Sequence, residues 1–175
     1  MADYATTERP WWRYALVTVP AIVLLGSASG WLSNSGYGND WFDNLVKPSF
    51  TPPGYAFGIV WPILYVLLGL ALATILAEPP SDRRRMGLVL FFIQLVLNFA
   101  WSPIFFAGHD ISLAKIVIFL MAAIAAGAAG QFFRIRKAAG LMMIPYLCWL
   151  IFAATLNSTI ENLNPGAGTS LLGIG

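Results

Sequence analysis

MGLVLFFIQLVLNFAWSPIFFAG, residues 86–108, contains no ionisable side chain. Wound as an α-helix at 1.5 Å per residue it is about 35 Å long, enough to cross a hydrocarbon core about 30 Å thick. Within it Asn98, Trp101, Ser102 and Phe105 follow Gln94 at offsets of 4, 7, 8 and 11, which sets all five on one stripe. An amide buried where there is no water needs a partner. Two readings stand for the stripe: hydrogen bonds to a neighbouring helix, worth about 0.6 kcal/mol each on average, or the polar floor of a ligand cavity.

Four further stretches lack Asp, Glu, Lys and Arg: residues 14–39, 49–77, 116–133 and 138–160. Each is close to or beyond the length of a span, so helices are expected over 14–33, 54–77, 86–107, 112–134 and 138–159. Composition agrees, since 58% of the 175 residues are hydrophobic and 10% charged, against roughly 25% charged in soluble domains. The expected fold is all-α, an integral membrane bundle of five transmembrane helices. Residues 1–13 form a leader, 14–160 the membrane domain with an outer loop over 34–53, and 161–175 a disordered tail. A signal peptide is the alternative for the first span, because Arg9 and Arg13 precede an apolar run that ends in Gly26, Ser27, Ala28, Ser29 and Gly30.

The ten basic residues are unevenly placed. Arg9, Arg13, Arg83, Arg84, Arg85, Arg134, Arg136 and Lys137 fall on one side of five spans, and only Lys47 and Lys115 on the other. Because cations resist translocation, the N-terminus is expected in the cytoplasm, with the C-terminus and the 34–53 loop outside. That loop carries Tyr37, Trp41, Phe42 and Phe50, and reads either as a lid over the bundle mouth or as an aromatic belt at the headgroups.

Several chemistries lack their parts. A net charge of +2 in short clusters leaves no footprint for nucleic acid. One cysteine, Cys148, and one histidine, His109, cannot build a zinc or haem site between them. His109 and Asp110 read as a solvated corner. No carboxylate lies near the expected midplane, and Lys115 is close enough to a helix end to snorkel, which argues against an ion-coupled pump. An odd number of spans does not divide into two equal inverted halves, so transport ranks below binding.

What the spans do carry is aromatic. Phe57, Trp61 and Tyr65 recur four apart in the second, and Tyr146, Trp149, Ala153, Leu156 and Asn157 share a face of the fifth. Convergence of these faces with the Gln94 stripe would make a pocket for a flat, largely apolar molecule. Pro20, Pro62, Pro103 and Pro145 each remove a donor and are expected to bend their helices. In the fourth span Ala122, Ala123, Ala126, Gly127 and Gly130 let backbones approach, either inside the bundle, the reading favoured here, or at a homodimer seam.

Four ordered motifs carry a resemblance. They are Trp41, Phe42, Leu45, Lys47, Pro48, Phe50, Pro52 and Pro53; then Phe57, Trp61, Pro62, Leu64 and Tyr65; then Gln94, Leu95, Asn98, Trp101, Ser102, Pro103, Phe105 and Phe106; and last Pro145, Tyr146, Leu147, Trp149, Ala153, Thr155, Leu156 and Asn157. Spread across residues 14–160, they resemble the tryptophan-rich sensory protein and translocator protein family, also called TspO/MBR and including the peripheral benzodiazepine receptor, in its bacterial form. The resemblance implies a five-helix bundle, often a homodimer, in the cell membrane of a bacterium. It implies a receptor or sensor with no resident cofactor, whose ligands are porphyrins such as protoporphyrin IX and synthetic isoquinoline carboxamides or benzodiazepines. By motif position Trp61, Asn98, Trp101, Trp149, Ala153 and Leu156 would line the cavity and the Trp41 loop would close it; Tyr65 and Asn157 join this set from their helix faces. Light-dependent porphyrin breakdown, attributed to some bacterial members, would fall to Trp61 and Trp149, and porphyrin or lipid transport is a further alternative. A cholesterol pattern needs an aromatic and then a basic residue at the end of the fifth span, and here Asn157 leads into Ser158, Thr159, Ile160 and Glu161.

Overall fold

The computed structural model describes residues 10–168. Its helices are α1 (Trp11–Leu32), α2 (Asp40–Asn44), α3 (Gly54–Ala77), α4 (Asp82–Ser102), α5 (Ile111–Ile135), α6 (Lys137–Met142) and α7 (Ile144–Leu163), with a π-helical turn over Pro103–Ala107 that continues α4. Among the described residues five helical units are long and apolar enough to cross a membrane: α1, α3, α4 with its π turn, α5, and α6 joined to α7. No strand occurs among the described residues. The spans close into a ring in which α1 lies along α3 and beside α4, α4 lies along α5, and α5 packs on α6 and α7.

Helix starts follow local chemistry. Ser81 and Asp110 cap α4 and α5 by accepting from the N–H groups of Arg84 (3.1 Å) and Leu113 (2.8 Å). Arg84 serves the opposite kind of end: its guanidinium donates to the carbonyls of Ile75 and Leu76, both at 3.0 Å, near the C-terminus of α3. Close approach of α1 to α3 rests on Gly69, where a Cβ would lie 2.6 Å from the Cα of Val19. There the Thr18 hydroxyl donates to the Gly69 carbonyl at 2.8 Å.

Pro103 leaves the Phe99 carbonyl without its usual helical donor. The Ser29 hydroxyl of α1 supplies one at 2.6 Å. Past the proline the backbone widens into the π turn, with the Gly108 N–H donating to the Pro103 carbonyl, and this turns Phe105 and Phe106 beneath the first loop. Pro145 differs from the expected bend, because it sits in the first turn of α7 after a break at Met143, where a missing N–H costs nothing.

Three other expectations are corrected. Helix α7 runs on to Leu163, and Asn164 and Ala167 are hydrogen-bonded to the first loop, so the part of the expected tail that is described is ordered; 169–175 lie outside the described residues, as do 1–9 of the leader. Asp110 is a buried cap, and His109, at φ 55°, stacks on Trp41, so this corner is packed. Of the small residues in the fourth span, Ala123, Ala126, Gly127 and Gly130 face outward. Ala125, Ala128 and Ala129, one position away, make the internal contact.

Candidate functional site

Where α6 packs on α3 the helices are close, but α7 and α3 diverge towards the first loop. Aromatic rings bridge the gap: Trp149 meets Phe57 edge-on at 5.9 Å and Trp61 at 6.3 Å. The space they leave is a cavity of about 600 Å³, within the ordinary range for small-molecule pockets. Trp61, Tyr65, Asn98, Trp101, Trp149, Ala153, Leu156 and Asn157 all line it, as do Phe57, Ser102 and Phe105. Faces of α3, α4 and α7 that were expected to converge are brought together here.

Trp41 is the exception. Its indole does not line the cavity; it stacks on the His109 ring at 4.4 Å, meets Phe105 at 5.4 Å and donates to the Ala167 carbonyl at 3.0 Å. In the short helix α2 consecutive side chains point about 100° apart. Phe42 takes the inward position, 4% exposed, against Phe105 and Phe106. Asn39 sets that helix: its Oδ1 accepts from the Phe42 N–H, and its Nδ2 donates to the carbonyls of Asn34 and Phe106. The Lys47 ammonium lies 4.6 Å from the Phe42 ring centre and donates to the Asp43 and Leu45 carbonyls. Between the two readings of the loop, the geometry gives a roof over the cavity.

The floor is a chain of hydrogen bonds across three helices. Tyr65 donates to Asn98 Oδ1 at 3.2 Å, Asn98 Nδ2 to the Tyr146 hydroxyl at 3.0 Å, and Tyr146 to Gln94 Oε1 at 2.8 Å. Gln94 and Tyr146 are wholly buried and lie outside the cavity. The Gln94 stripe therefore serves both readings, with its first turn tying helices and its later turns lining the pocket. Tyr65 is set by α1, its ring lying where a Cβ on Gly26 would come within 2.3 Å.

Three polar atoms on the cavity wall are buried without a partner among the described residues: the indole N–H groups of Trp101 and Trp149, and Asn157 Oδ1. The Asn157 amide is oriented by donation from Nδ2 to the Ile111 carbonyl at 3.1 Å. Sequence reasoning had Tyr37 and Phe42 in a possible lid without placing them on the cavity, and missed the α1 wall of Gly26, Ser27 and Gly30. Its one signal was the four-residue glycine spacing, which equally fits a cleavage site.

Five spans around a roofed, aromatic-lined cavity define a multi-pass membrane protein with an internal cavity. Residues 16–163 match the model of the TspO/MBR family, and the chain belongs to that family. It is 42% identical over 132 residues to the tryptophan-rich protein TspO of Chlorobaculum tepidum, covering 71% of this chain and 80% of that one. With the human translocator protein it shares 33% identity over 133 residues, 75% and 79% of the two chains. The tryptophan-rich sensory protein of Cereibacter sphaeroides is 32% identical over 126 residues, 72% and 78%.

Proposed function

We propose that the protein is a membrane receptor that takes up tetrapyrroles of the protoporphyrin IX type, and related flat apolar ligands, in the cavity beneath the first loop. The carrying observation is that one cavity gathers Trp61, Trp101 and Trp149 from three helices, with Asn98 on the same lining. A flat ligand stacks on Trp61, Trp101 and Trp149. Asn98 is held by its chain of partners and gives the ligand a fixed polar edge. Five spans with eight of the ten basic residues on one side support an orientation with the roof outside, and bacterial relatives support a cell membrane setting. The outward small face of α5 supports a homodimer.

The test is a protoporphyrin IX titration of purified protein in the dark, followed by tryptophan fluorescence, beside a folded Trp61→Phe/Trp149→Phe variant. Saturable quenching near one-to-one, weakened in the variant, is expected. Equal, non-saturating quenching in both proteins would refute the assignment. A second reading, photo-oxidation of the bound porphyrin, is favoured by the edge-on Trp61 and Trp149 pair on the cavity wall. Product formation that requires light and oxygen, and disappears in Trp149→Phe, would establish it.

A further inference from the structure

The roof is fastened from an unexpected direction. Beyond Leu163, the side-chain amide of Asn164 pairs with the main chain of Val46 as a strand neighbour would: the Val46 N–H donates to Asn164 Oδ1 at 2.8 Å, and Asn164 Nδ2 donates back to the Val46 carbonyl at 2.9 Å. The same Nδ2 donates to the Ile160 carbonyl at 2.7 Å, which fixes the amide on the end of α7. Three residues on, the Ala167 carbonyl accepts from the Trp41 indole. Gly168 then passes so close to the 109–111 corner that a Cβ would lie 3.0 Å from the His109 carbonyl oxygen. Trp41 is therefore held between the C-terminal segment and His109, with the inward Phe42 its immediate neighbour in α2.

The end of α7 that carries this segment is itself anchored. Glu161 accepts from the Ser112 hydroxyl at 2.7 Å and pairs with Lys115, both at the start of α5. Apart from Ile160, whose carbonyl holds the Asn164 amide, none of the fastening residues belongs to the cavity wall, and 164–168 lie past the residues that match the family. They contact the roof from its outer side, at the two points, Trp41 and Val46, that flank the inward ring.

We propose that residues 164–168 are a clasp that holds the cavity roof shut, with Asn164 as its positioning residue, so that exchange of the cavity's occupant is set by the segment following the fifth span. The effect on ligand exchange rests on the tetrapyrrole reading above; the fastening does not. Two hydrogen bonds to one main-chain residue, lost together, raise the open fraction of the roof about tenfold.

The experiment uses the full chain in lipid nanodiscs, as wild type, Asn164→Ala and Asn164→Asp. Amide hydrogen exchange at Val46 is read without ligand, and the dissociation rate of protoporphyrin IX is read by recovery of tryptophan fluorescence. Asn164→Ala is expected to speed both about tenfold while protection within α4 and α5 stays unchanged. Asn164→Asp keeps the acceptor for the Val46 N–H and loses the donor, so it falls between the two. Unchanged exchange at Val46 in Asn164→Ala overturns the clasp, whatever the ligand does. Faster Val46 exchange with no saturable porphyrin binding in any of the three proteins upholds the clasp and refutes the tetrapyrrole reading instead. Should Asn164→Ala lose protection throughout α4 and α5, Asn164→Asp and Trp41→Phe, which removes the bond to Ala167 while keeping an aromatic ring there, decide: wild-type exchange at Val46 in both overturns the clasp.

Discussion

The arginine end of the bundle and the end beneath the first loop are both lined by apolar residues, yet one is solid and the other hollow. At the arginine end Leu68, Ala71, Ala73, Ile75, Phe91 and Phe132 are sealed from solvent, and the Phe91 and Phe132 rings stack at 5.4 Å. Small residues on facing helices bring backbones together there, so ordinary side chains fill the remaining space. At the roofed end the facing residues are Trp61, Trp101, Trp149 and Phe57, which touch across a wider gap by their edges. Rings that span a gap leave space between them. Hydrophobicity alone does not distinguish a packed end from a pocket; the size of the residue at the helix crossing does.

The comparison is broken most severely by adding volume where the bundle is solid. Gly69→Val places its new atoms against the backbone of α1, with Val19 Cα 2.6 Å from the Cβ position. A loss of about 3 kcal/mol is expected, the upper end for overpacking, because backbone cannot rotate away as a side chain does. Thermal unfolding of the detergent-solubilised protein reports it. Volume added at the hollow end should behave oppositely. Ala153→Phe enters the cavity, so unfolding is expected at the wild-type temperature while protoporphyrin affinity falls about tenfold or more, the scale of one displaced ring contact. A destabilised Ala153→Phe with intact binding would show that Ala153 packs rather than lines.

Much of this division was legible in the chain. The five spans came from charge-free length, which the bilayer imposes without regard to tertiary detail. Faces of Trp61, Asn98 and Trp149 came from helical spacing, and the structure places each on the cavity. Position within an irregular segment was not legible. Whether Trp41 or Phe42 turns inward depends on the start of a five-residue helix, and that start is set by Asn39, whose amide reaches back to Asn34 and across to Phe106. The small residues of α5 misled for a related reason: Ala122 to Gly130 hold small side chains on both faces, so spacing could not choose between Ala125 and Ala126. Glu161 looked like the first residue of a polar tail until Ser112 and Lys115, some fifty positions earlier, supplied its partners.

A smaller effect tests the seam between the two ends. Tyr146 is the middle of the buried chain and belongs to neither the roof nor the arginine end. Tyr146→Phe keeps the ring and removes the hydroxyl, leaving Asn98 Nδ2 and Gln94 Oε1 without their partner. About 1 kcal/mol of stability is expected to go, read as a lower unfolding temperature. Because Asn98 also faces the cavity, ligand affinity should fall with it. Stability lost with affinity unchanged would mean that the network braces the helices without orienting the ligand.

The smallest effect concerns how α1 joins the ring. Ser29 donates to the Phe99 carbonyl, the group that Pro103 leaves without a helical partner. Ser29→Ala should therefore cost about 0.6 kcal/mol, the average for a hydrogen bond between membrane helices. That figure alone does not separate a bond that repairs the proline's defect from one that merely happens to form. A double-mutant cycle does. In Pro103→Ala the new N–H can serve Phe99 from within its own helix, so the hydroxyl becomes redundant and Ser29→Ala should cost nothing further. An equal cost in both backgrounds would show that the Ser29 contact holds α1 against α4 on its own account, and that the carbonyl freed by the proline was satisfied in some other way. If the cost vanishes with the proline, the irregular turn that carries Phe105 and Phe106 under the roof and the α1 wall of the cavity are parts of one arrangement, set by a single missing hydrogen.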